Sequence, residues 1–389
     1  MRCGVLHHWL VVPLAAAVLY GGTPALASEA AVSSPVQPPP AVSAPVPLPA
    51  SSAASAPRAD KPNPAATDAV PHIALLLPLN SKVFVRHAEA VRDGVLAAAK
   101  VQGNAALPVR VYAAADDPEQ VLDVYIKAIN AGARVVIGPL TRNGVTAVVG
   151  SAAVIVPTLA LNVPDASAAP PLEVYTLSLQ VEAEARQVAQ LAWQDGFRKA
   201  ATIADESPLV KRIHQAFVDE FTRLGGTHVA AYAFTADPEG LARIKRAMES
   251  GTADMAFLPL DFARARLARP YLGTLPIYAT SQVYPGNSGP LAGFDLAGVR
   301  FLDMPWLLQP EHPAVVVYPR PAFRDVVELE RFYALGVDAY RIALTLLTGN
   351  TNATLDGVTG RLTLGHDRQF ARALTAAQFT DGKLTVMTR

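Results

Sequence analysis

Asp254-Met-Ala-Phe-Leu-Pro-Leu-Asp261 and Leu275-Pro-Ile-Tyr-Ala-Thr-Ser-Gln282 frame the stretch of sequence that decides the fold. Each contains a short apolar run, Met255 to Leu260 and Pro276 to Ala279, of the kind that forms a strand buried on both faces of a parallel sheet. The segment between them, Phe262 to Tyr271, mixes apolar residues with arginines and is typical of an amphipathic helix. The stretch therefore predicts strand, helix, strand in a parallel α/β sheet.

The same alternation of strand and helix recurs along the chain, and part of it repeats. Six identical residue pairs lie 120 positions apart, spread over one predicted strand-helix-strand unit. The pairs are Tyr112 and Tyr232, Asp117 and Asp237, Pro118 and Pro238, Glu119 and Glu239, Pro139 and Pro259, and Leu140 and Leu260. Coincidence among common helix-start residues is the alternative, but the shared order of elements favours two lobes built on one plan.

The chain after about residue 296 is predicted to return to the first lobe. A helical stripe from about Phe323 to Leu347 has the spacing of a core helix, and a further helix is predicted near Arg368 to Ala376. We expect lobe 1 to comprise about 71–178 plus about 296–350, and lobe 2 to comprise about 179–295 plus parts of the C-terminal tail.

Polar residues follow the predicted strands at the end where parallel α/β folds place ligands. Strand ends and helix starts here are predicted to face a cleft between the lobes, where they could hold a small polar ligand. The alternative for each residue is a helix cap or a turn. The cleft candidates are Asn80, Ser81, Thr141, Asn162, Asp205, Asp261, Ser281 and Asp303.

Composition narrows the class of function. The 389-residue chain carries 33 Lys+Arg and 33 Asp+Glu, with a pI near 7.1, so it lacks the basic excess of a nucleic-acid-binding protein. Histidines are scattered without metal-ligand spacing, and no Gly-x-Ser-x-Gly, His-Glu-x-x-His or P-loop motif occurs. Asp205-Glu206-Ser207 is better explained as a helix start than as a catalytic pair. We expect no catalytic residues, no metal and no cofactor.

The N-terminal residues are typical of an exported protein. Residues 1–27 predict a cleaved signal peptide, with an apolar core from Trp9 to Tyr20 that is too short to span a bilayer. The single cysteine, Cys3, precedes that core, so a lipid-bearing cysteine at the cleavage site is not expected. Residues 28–70 are rich in Pro, Ala and Ser and predict a disordered, semi-stiff spacer, with a proline-rich docking peptide as the alternative.

Several motifs together resemble the LppC family of penicillin-binding protein activators. They include Ile137-Gly-Pro-Leu140, Tyr278-Ala-Thr-Ser-Gln282, Asp303-Met-Pro-Trp306 and Arg331-Phe-Tyr-Ala-Leu-Gly-Val-Asp-Ala-Tyr340, and the match runs from about Pro71 to the end. The resemblance implies a two-lobed type I periplasmic binding-protein-like fold, each lobe a mainly parallel sheet flanked by helices. Family members are usually outer-membrane lipoproteins, and longer members carry an N-terminal helical-repeat domain. This chain departs from both patterns, with no lipobox cysteine and only the Pro/Ala spacer.

The resemblance also implies a function. It points to a non-enzymatic periplasmic regulator that binds a class A penicillin-binding protein and stimulates peptidoglycan synthesis. A partner surface is predicted on the arginine-bearing helix at Arg264, Arg266 and Arg269, with a solvated outer helix face as the alternative. The alternative functions are a solute-binding protein for a small polar ligand such as an amino acid, held in the cleft between the lobes, and more distantly a hydrolase. The loop after the first strand, Asn80 to Val85, lacks a glycine for close approach to an amino acid and disfavours a transport receptor.

Overall fold

The computed structural model describes residues 69–103, 106–165, 170–286, 290–323, 326–350 and 354–387. All of them belong to one compact unit, Ala59–Arg389. A second unit, Met1–Arg58, lies outside the described residues, as do the predicted signal peptide and residues 28–68 of the predicted spacer.

The first lobe is a five-stranded parallel sheet with strand order β2-β1-β3-β4-β5. Its strands are His72–Leu77 (β1), Val109–Ala113 (β2), Ala133–Ile137 (β3), Thr158–Ala160 (β4) and Val174–Thr176 (β5). Three helices connect them, Val85–Gln102 (α1), Pro118–Asn130 (α2) and Arg142–Val149 (α3). All six residues of β1 are buried, as expected for a central strand covered on both faces.

The second lobe begins with helix α4 and repeats the plan of the first. Its helices are Val181–Gln194 (α4), Pro208–Arg223 (α5), Pro238–Ser250 (α6), Phe262–Ala268 (α7) and Pro290–Asp295 (α8). Its parallel strands are Lys199–Ala204 (β6), Thr227–Ala233 (β7), Met255–Leu258 (β8), Ile277–Ala279 (β9) and Val299–Asp303 (β10). The predicted strand-helix-strand at residues 254–286 is thus confirmed as β8, α7 and β9.

The rest of the described chain crosses between the lobes and completes both. It contains helices Pro305–Leu308 (α9), Pro313–Val316 (α10) and Val327–Leu347 (α11). Its strands are Leu355–Asp356 (β11), Arg361–Leu364 (β12), Phe370–Ala373 (β13), Thr375–Thr380 (β14) and Lys383–Val386 (β15). β11, β12 and β13 form a small antiparallel sheet, while β14 and β15 extend the second sheet to the order β15-β14-β10-β9-β8-β6-β7.

The internal repeat predicted from the sequence is visible in the fold. Helices α2 and α6 begin and end 120 residues apart, and each follows an aspartate N-cap and a proline at its first position. Asp117 accepts from the Gln120 backbone N–H at 2.9 Å, and Asp237 accepts from that of Gly240 at 2.8 Å. The parallel strands follow matching orders, β2-β1-β3-β4-β5 and β7-β6-β8-β9-β10. The two lobes therefore share one plan.

Helix α11 supplies a large part of the core of the first lobe. Its buried face, which includes Tyr333, Val337 and Tyr340, packs with Val91 and Val95 of α1 in a single apolar cluster. The predicted core helix from about Phe323 to Leu347 is confirmed, although it begins at Val327.

Two predictions about the later part of the chain are wrong. Strand β10 belongs to the second sheet, where it pairs with β9 and β14, so the chain returns to the first lobe after residue 303 and not at about 296. The helix predicted near Arg368 to Ala376 is instead strands β13 and β14. Pairing of β13 with β12 and of β14 with β10 overrides the helical preference of Ala, Arg and Leu.

Candidate functional site

A cavity of about 350 Å³ lies in the cleft between the lobes. The first lobe contributes the ends of β3 and β4 and the starts of α1 and α3, the second contributes the starts of α4 and α5, and α11 adds one face. The apolar residues that line the cavity are Phe84, Leu140, Leu161, Leu179, Val181, Leu209, Phe332 and Leu335. Phe84 and Leu209 are 40% and 37% exposed, so the apolar lining continues to the cavity mouth.

Ionic groups surround this cavity, and each is paired within the protein. Arg212 donates to Glu182 at 2.8 Å, and Arg142 lies 3.6 Å from Asp165. Burial alone would raise the pKa of Glu182, but the hydrogen bond and charge of Arg212 outweigh it and lower that pKa. The cavity therefore combines apolar walls with arginines that already have carboxylate partners.

His87 lines the cavity, and one of its ring nitrogens lacks a hydrogen-bond partner among the described residues. Its Nε2 lies 3.0 Å from Glu328, and its ring packs edge-on against Phe332 with centroids 4.8 Å apart. The Nδ1 atom is buried and has no hydrogen-bond partner among the described residues.

Two of the predicted cleft residues, Thr141 and Asn162, line this cavity. The Asn162 side chain is occupied locally, because it donates to the Leu140 carbonyl at 3.1 Å and accepts from the Val163 N–H at 3.0 Å. Thr141 is the N-cap of α3, but its side chain makes no capping hydrogen bond. Thr141 is therefore the better placed of the two to contact a ligand.

Asn80 and Ser81 do not line the cavity. Ser81 is buried and stabilises the turn before α1, because its Oγ donates to Asp116 at 2.8 Å and accepts from the backbone N–H groups of Val83 and Phe84. Asn80 is exposed, and its backbone N–H donates to the Ala114 carbonyl at 3.0 Å. For Ser81 the capping alternative describes the observed contacts.

Asp205 and Asp261 lie together at the second lobe, joined by an arginine. Asp261 caps α7 by accepting from the Arg264 backbone N–H at 2.9 Å, and it also accepts from the Arg264 guanidinium at 2.6 Å. The same guanidinium is 3.5 Å from Asp205, which accepts from the Ser207 N–H at 2.8 Å. Both carboxylates serve helix starts.

Ser281 and Asp303 belong to a buried ionic network that connects the lobes. Arg331 of α11 donates to Asp303 at 2.6 Å and to the backbone carbonyls of Ser281 and Tyr284 at 3.2 and 3.3 Å. Glu184 of α4 accepts from both the backbone N–H and the hydroxyl of Ser281. The strand ends of the second lobe thus contact protein groups here.

Burial and neighbouring charges together shift the pKa values of the groups in this network. Burial, reinforced by the nearby Asp303 charge, raises the pKa of Glu184 to about 7 despite the Ser281 hydrogen bonds and Arg331. Burial alone would lower the pKa of Arg331, but Asp303 and Glu184 outweigh it and the net shift is upward. Burial lowers the pKa of Arg372, which also feels the Glu184 and Asp303 charges.

Sequence reasoning missed Glu184 and Arg331. Glu184 had a detectable signal, because it falls in the apolar register of α4 with Ala185, Val188 and Leu191. A carboxylate at such a position needs a buried partner. Arg331 belongs to a motif quoted for the family resemblance, but no local signal indicated its role, since its partners lie on strand ends far away in the sequence.

The predicted arginine surface on and after α7 is not a patch of free cations. Arg264 binds Asp261 and Asp205, and Arg266 binds Asp295. Arg269 is half-buried and donates to the Ala297 and Gly273 carbonyls at 2.9 and 3.1 Å. Only Arg264 and Arg266, with side chains 51% and 41% exposed, present substantial surface to a partner.

The described ranges contain neither a metal-binding cluster nor a helix that could span a membrane. No group of three or more His, Cys, Asp or Glu side chains there could hold a metal ion. None of the helices in those ranges combines the length and the apolar character that a membrane span requires.

Comparison with known proteins decides the family. The family model described as "LppC putative lipoprotein" matches residues 65–250 and 260–382, which is most of the chain. The chain belongs to the LppC family. The resemblance stated from the motifs is confirmed.

Curated relatives of this LppC chain are named penicillin-binding protein activator LpoA. The protein from Edwardsiella piscicida is 28% identical over 72% of this chain, and that from Haemophilus influenzae is 26% identical over 81%. The aligned regions cover 46% and 55% of those proteins. This LppC chain therefore spans about half the length of the curated relatives it matches.

Solved structures confirm the fold of this LppC chain. The LpoA (YraM) C-domain from Haemophilus influenzae, described as a regulator of PBP1A, has a TM-score of 0.69 at 23% identity, covering 82% of this chain and all of that one. A protein from Chromobacterium violaceum, described as a "putative branched-chain amino acid ABC transporter", has the same TM-score at 40% identity, covering 79% and 99%. The two-lobed type I periplasmic binding-protein-like architecture is shown.

Proposed function

We propose that this chain is a non-enzymatic periplasmic regulator that binds a class A penicillin-binding protein and stimulates its peptidoglycan synthesis. The observation that carries the proposal is the LppC match across both lobes, together with relatives that are named activators of penicillin-binding proteins. Those relatives are about twice as long, so the proposal assigns partner binding to the two-lobed part they share with this chain.

The chemistry of the cleft supports a regulator over a receptor for polar solutes. A receptor for polar solutes needs polar side chains that are free to bind the solute. Three of the predicted cleft residues already make hydrogen bonds to neighbouring protein groups, namely Ser81, Ser281 and Asp303. A buried polar group that is already paired gains little from a ligand. Binding of another protein needs no polar cleft, because a few exposed side chains can carry most of the affinity.

The partner surface we propose includes the outer face of α7. Arg264 and Arg266 keep about half of their side-chain surface exposed while their carboxylate partners fix their geometry. Fixed arginines are common at protein interfaces because little side-chain entropy is lost on binding. Arg269 is half-buried and stabilises the backbone after α7 by donating to the carbonyls of Ala297 and Gly273.

A solute-binding role is the second candidate, and two observations favour it. The cavity of about 350 Å³ is within the size range of small-molecule sites. The relative from Chromobacterium violaceum, at 40% identity, is described as belonging to amino-acid transport. The mainly apolar walls of the cavity in this chain suit a ligand with an apolar side chain better than the small polar ligand expected from the sequence.

The decisive experiment uses the purified exported chain and a class A penicillin-binding protein from the same bacterium. Retention of the synthase by the immobilised chain and faster glycan-strand synthesis on lipid II are expected. A solute-binding protein of the same fold is the matched control. Calorimetric binding of leucine, with no retention and no change in synthesis, would show that the second candidate is correct.

We also propose that the chain acts in the periplasm after cleavage of the signal at residues 1–27. Cell fractionation should recover a shortened protein in the periplasmic fraction. Labelling with radioactive palmitate should leave it unlabelled, because the chain's single cysteine, Cys3, would be removed with the signal. A labelled mature protein would contradict this proposal.

A further inference from the structure

Two-lobed binding proteins open and close because the segments between their lobes change backbone conformation. In this chain those segments are tied together by side chains. Arg372, near the end of β13, donates from Nε to the Ser178 carbonyl at 3.0 Å. This bond joins the segment between β5 and α4 to the segment where β13 leads into β14. Gln187 of α4 donates to the Arg372 carbonyl at 2.8 Å and accepts from the Leu374 N–H at 3.0 Å.

The strongest link runs from α11 to the second lobe through Arg331. The guanidinium makes contact with three acceptors there, the Asp303 carboxylate and the carbonyls of Ser281 and Tyr284. Ser281 is held from its other side by Glu184 of α4. The Arg331 side chain is 20% exposed and that of Asp303 is 3% exposed, so water competes little for this pair.

Helix α11 cannot follow the second lobe away from the first. Its backbone is in direct contact with α1, because a Cβ placed on Gly94 would lie 2.0 Å from the Tyr333 carbonyl oxygen. Opening the cleft would therefore separate Arg331 from Asp303. It would break an ion pair whose carboxylate is almost fully buried, which is unfavourable.

We infer that Arg331 is a clamp that holds the two lobes of this protein at one fixed angle, without a ligand. The clamp consists of Arg331, its acceptors Asp303, Ser281 and Tyr284, and Glu184 behind Ser281. A protein with this clamp presents one constant surface across both lobes to a partner. The clamp would fix the lobe angle whichever partner or solute the protein binds.

Distances between spin labels on the two lobes test the clamp. Cysteines are introduced at Val83 on the first lobe and Lys211 on the second, whose side chains are well exposed, and Cys3 is replaced by serine. Double electron–electron resonance on the unliganded protein should give a single narrow distance distribution. Addition of leucine should leave it unchanged. Two separated distances without ligand, or a shift with leucine, would overturn the clamp.

The variant Arg331→Met should broaden this distribution and move it to longer distances. Arg341→Met is the matched control, because Arg341 lies on the same helix, has a side chain 23% exposed and pairs with Asp338 of α11 itself. Its distribution should match that of the unsubstituted protein. A folded Arg331→Met protein with an unchanged distribution would also overturn the clamp.

Asp303→Asn serves as a milder second variant. It keeps an acceptor for Arg331 but removes the charge, so a smaller broadening than for Arg331→Met is expected. If neither variant folds, two separated distances in the unliganded, unsubstituted protein would still overturn the clamp.

Discussion

Gly94 and Gly336 face each other where α1 crosses α11, and neither position has room for a side chain. A Cβ on Gly94 would lie 2.0 Å from the Tyr333 carbonyl oxygen, and one on Gly336 would lie 2.2 Å from that of Val91. The two glycines allow the helix backbones to touch. This contact fixes α11 against the first lobe.

The variant Gly336→Ala should destabilise the protein by about 2 kcal/mol, because the added methyl group must push the two helices apart. Urea unfolding followed by circular dichroism measures the change. Gly150→Ala is a control at an exposed helix end where the nearest atom would be 3.2 Å away. Equal stability of the two variants would contradict the close contact between α1 and α11.

Protonation of Glu184 should make the stability depend on pH. The pKa of Glu184 in the folded protein is raised from its ordinary value of 4.5 to about 7, so the folded state binds its proton more tightly than the unfolded state. The stabilising contribution is complete below about pH 4.5 and is lost as the pH rises through about 7. The loss is on the order of 3 kcal/mol.

The variant Glu184→Gln isolates this effect. The free energy of unfolding should decrease from pH 5 to pH 8 more in the unsubstituted protein than in the variant. Burial lowers the pKa of His214 and of His228, which favours stability at high pH, but both proteins share these groups. An identical pH dependence in the two proteins would show that Glu184 does not titrate in this range.

Removal of an N-cap tests the shared plan of the two lobes. The variant Asp117→Ala should cost about 1 kcal/mol of stability, because the Gln120 N–H loses its acceptor. Asp237→Ala should change stability in the same direction through the Gly240 N–H. Asp123→Ala, an exposed change within α2, is the control and should have little effect on the urea midpoint.

The outer face of α7 can be tested by a double substitution. Arg264→Ala with Arg266→Ala should lower retention of the penicillin-binding protein several-fold in the pull-down described above. Arg243→Ala with Lys245→Ala removes two exposed cations from α6 of the same lobe and should leave retention unchanged. Equal retention by the two variants would exclude α7 from the interface.

Local signals predicted much of the fold. The repeated Asp-Pro pairs lie at the starts of α2 and α6, and the apolar run at β8 is buried as expected. Local signals could not tell to which sheet β10 belongs, because its residues suit a buried strand in either lobe. They also failed at β13, whose structure depends on pairing with β12.

The candidate site was predicted less well than the fold, for a physical reason. The sequence identified Ser281 and Asp303 as polar strand ends, but what they contact depends on Glu184 and Arg331, which approach from other elements. Thr141 and Asn162 do line the cleft cavity. The number of polar groups left for a ligand can be judged only when their protein partners are known.

The late position of α11 in the chain has a consequence for biogenesis. The strands of the first sheet are complete at residue 176, yet the helix that covers one face of that sheet begins at Val327. The parallel strands of the second sheet lie wholly between these two points. Until α11 arrives, the first lobe has an apolar face open to water and to other chains. The first lobe therefore cannot cover that face until all the parallel strands of the second sheet have been made.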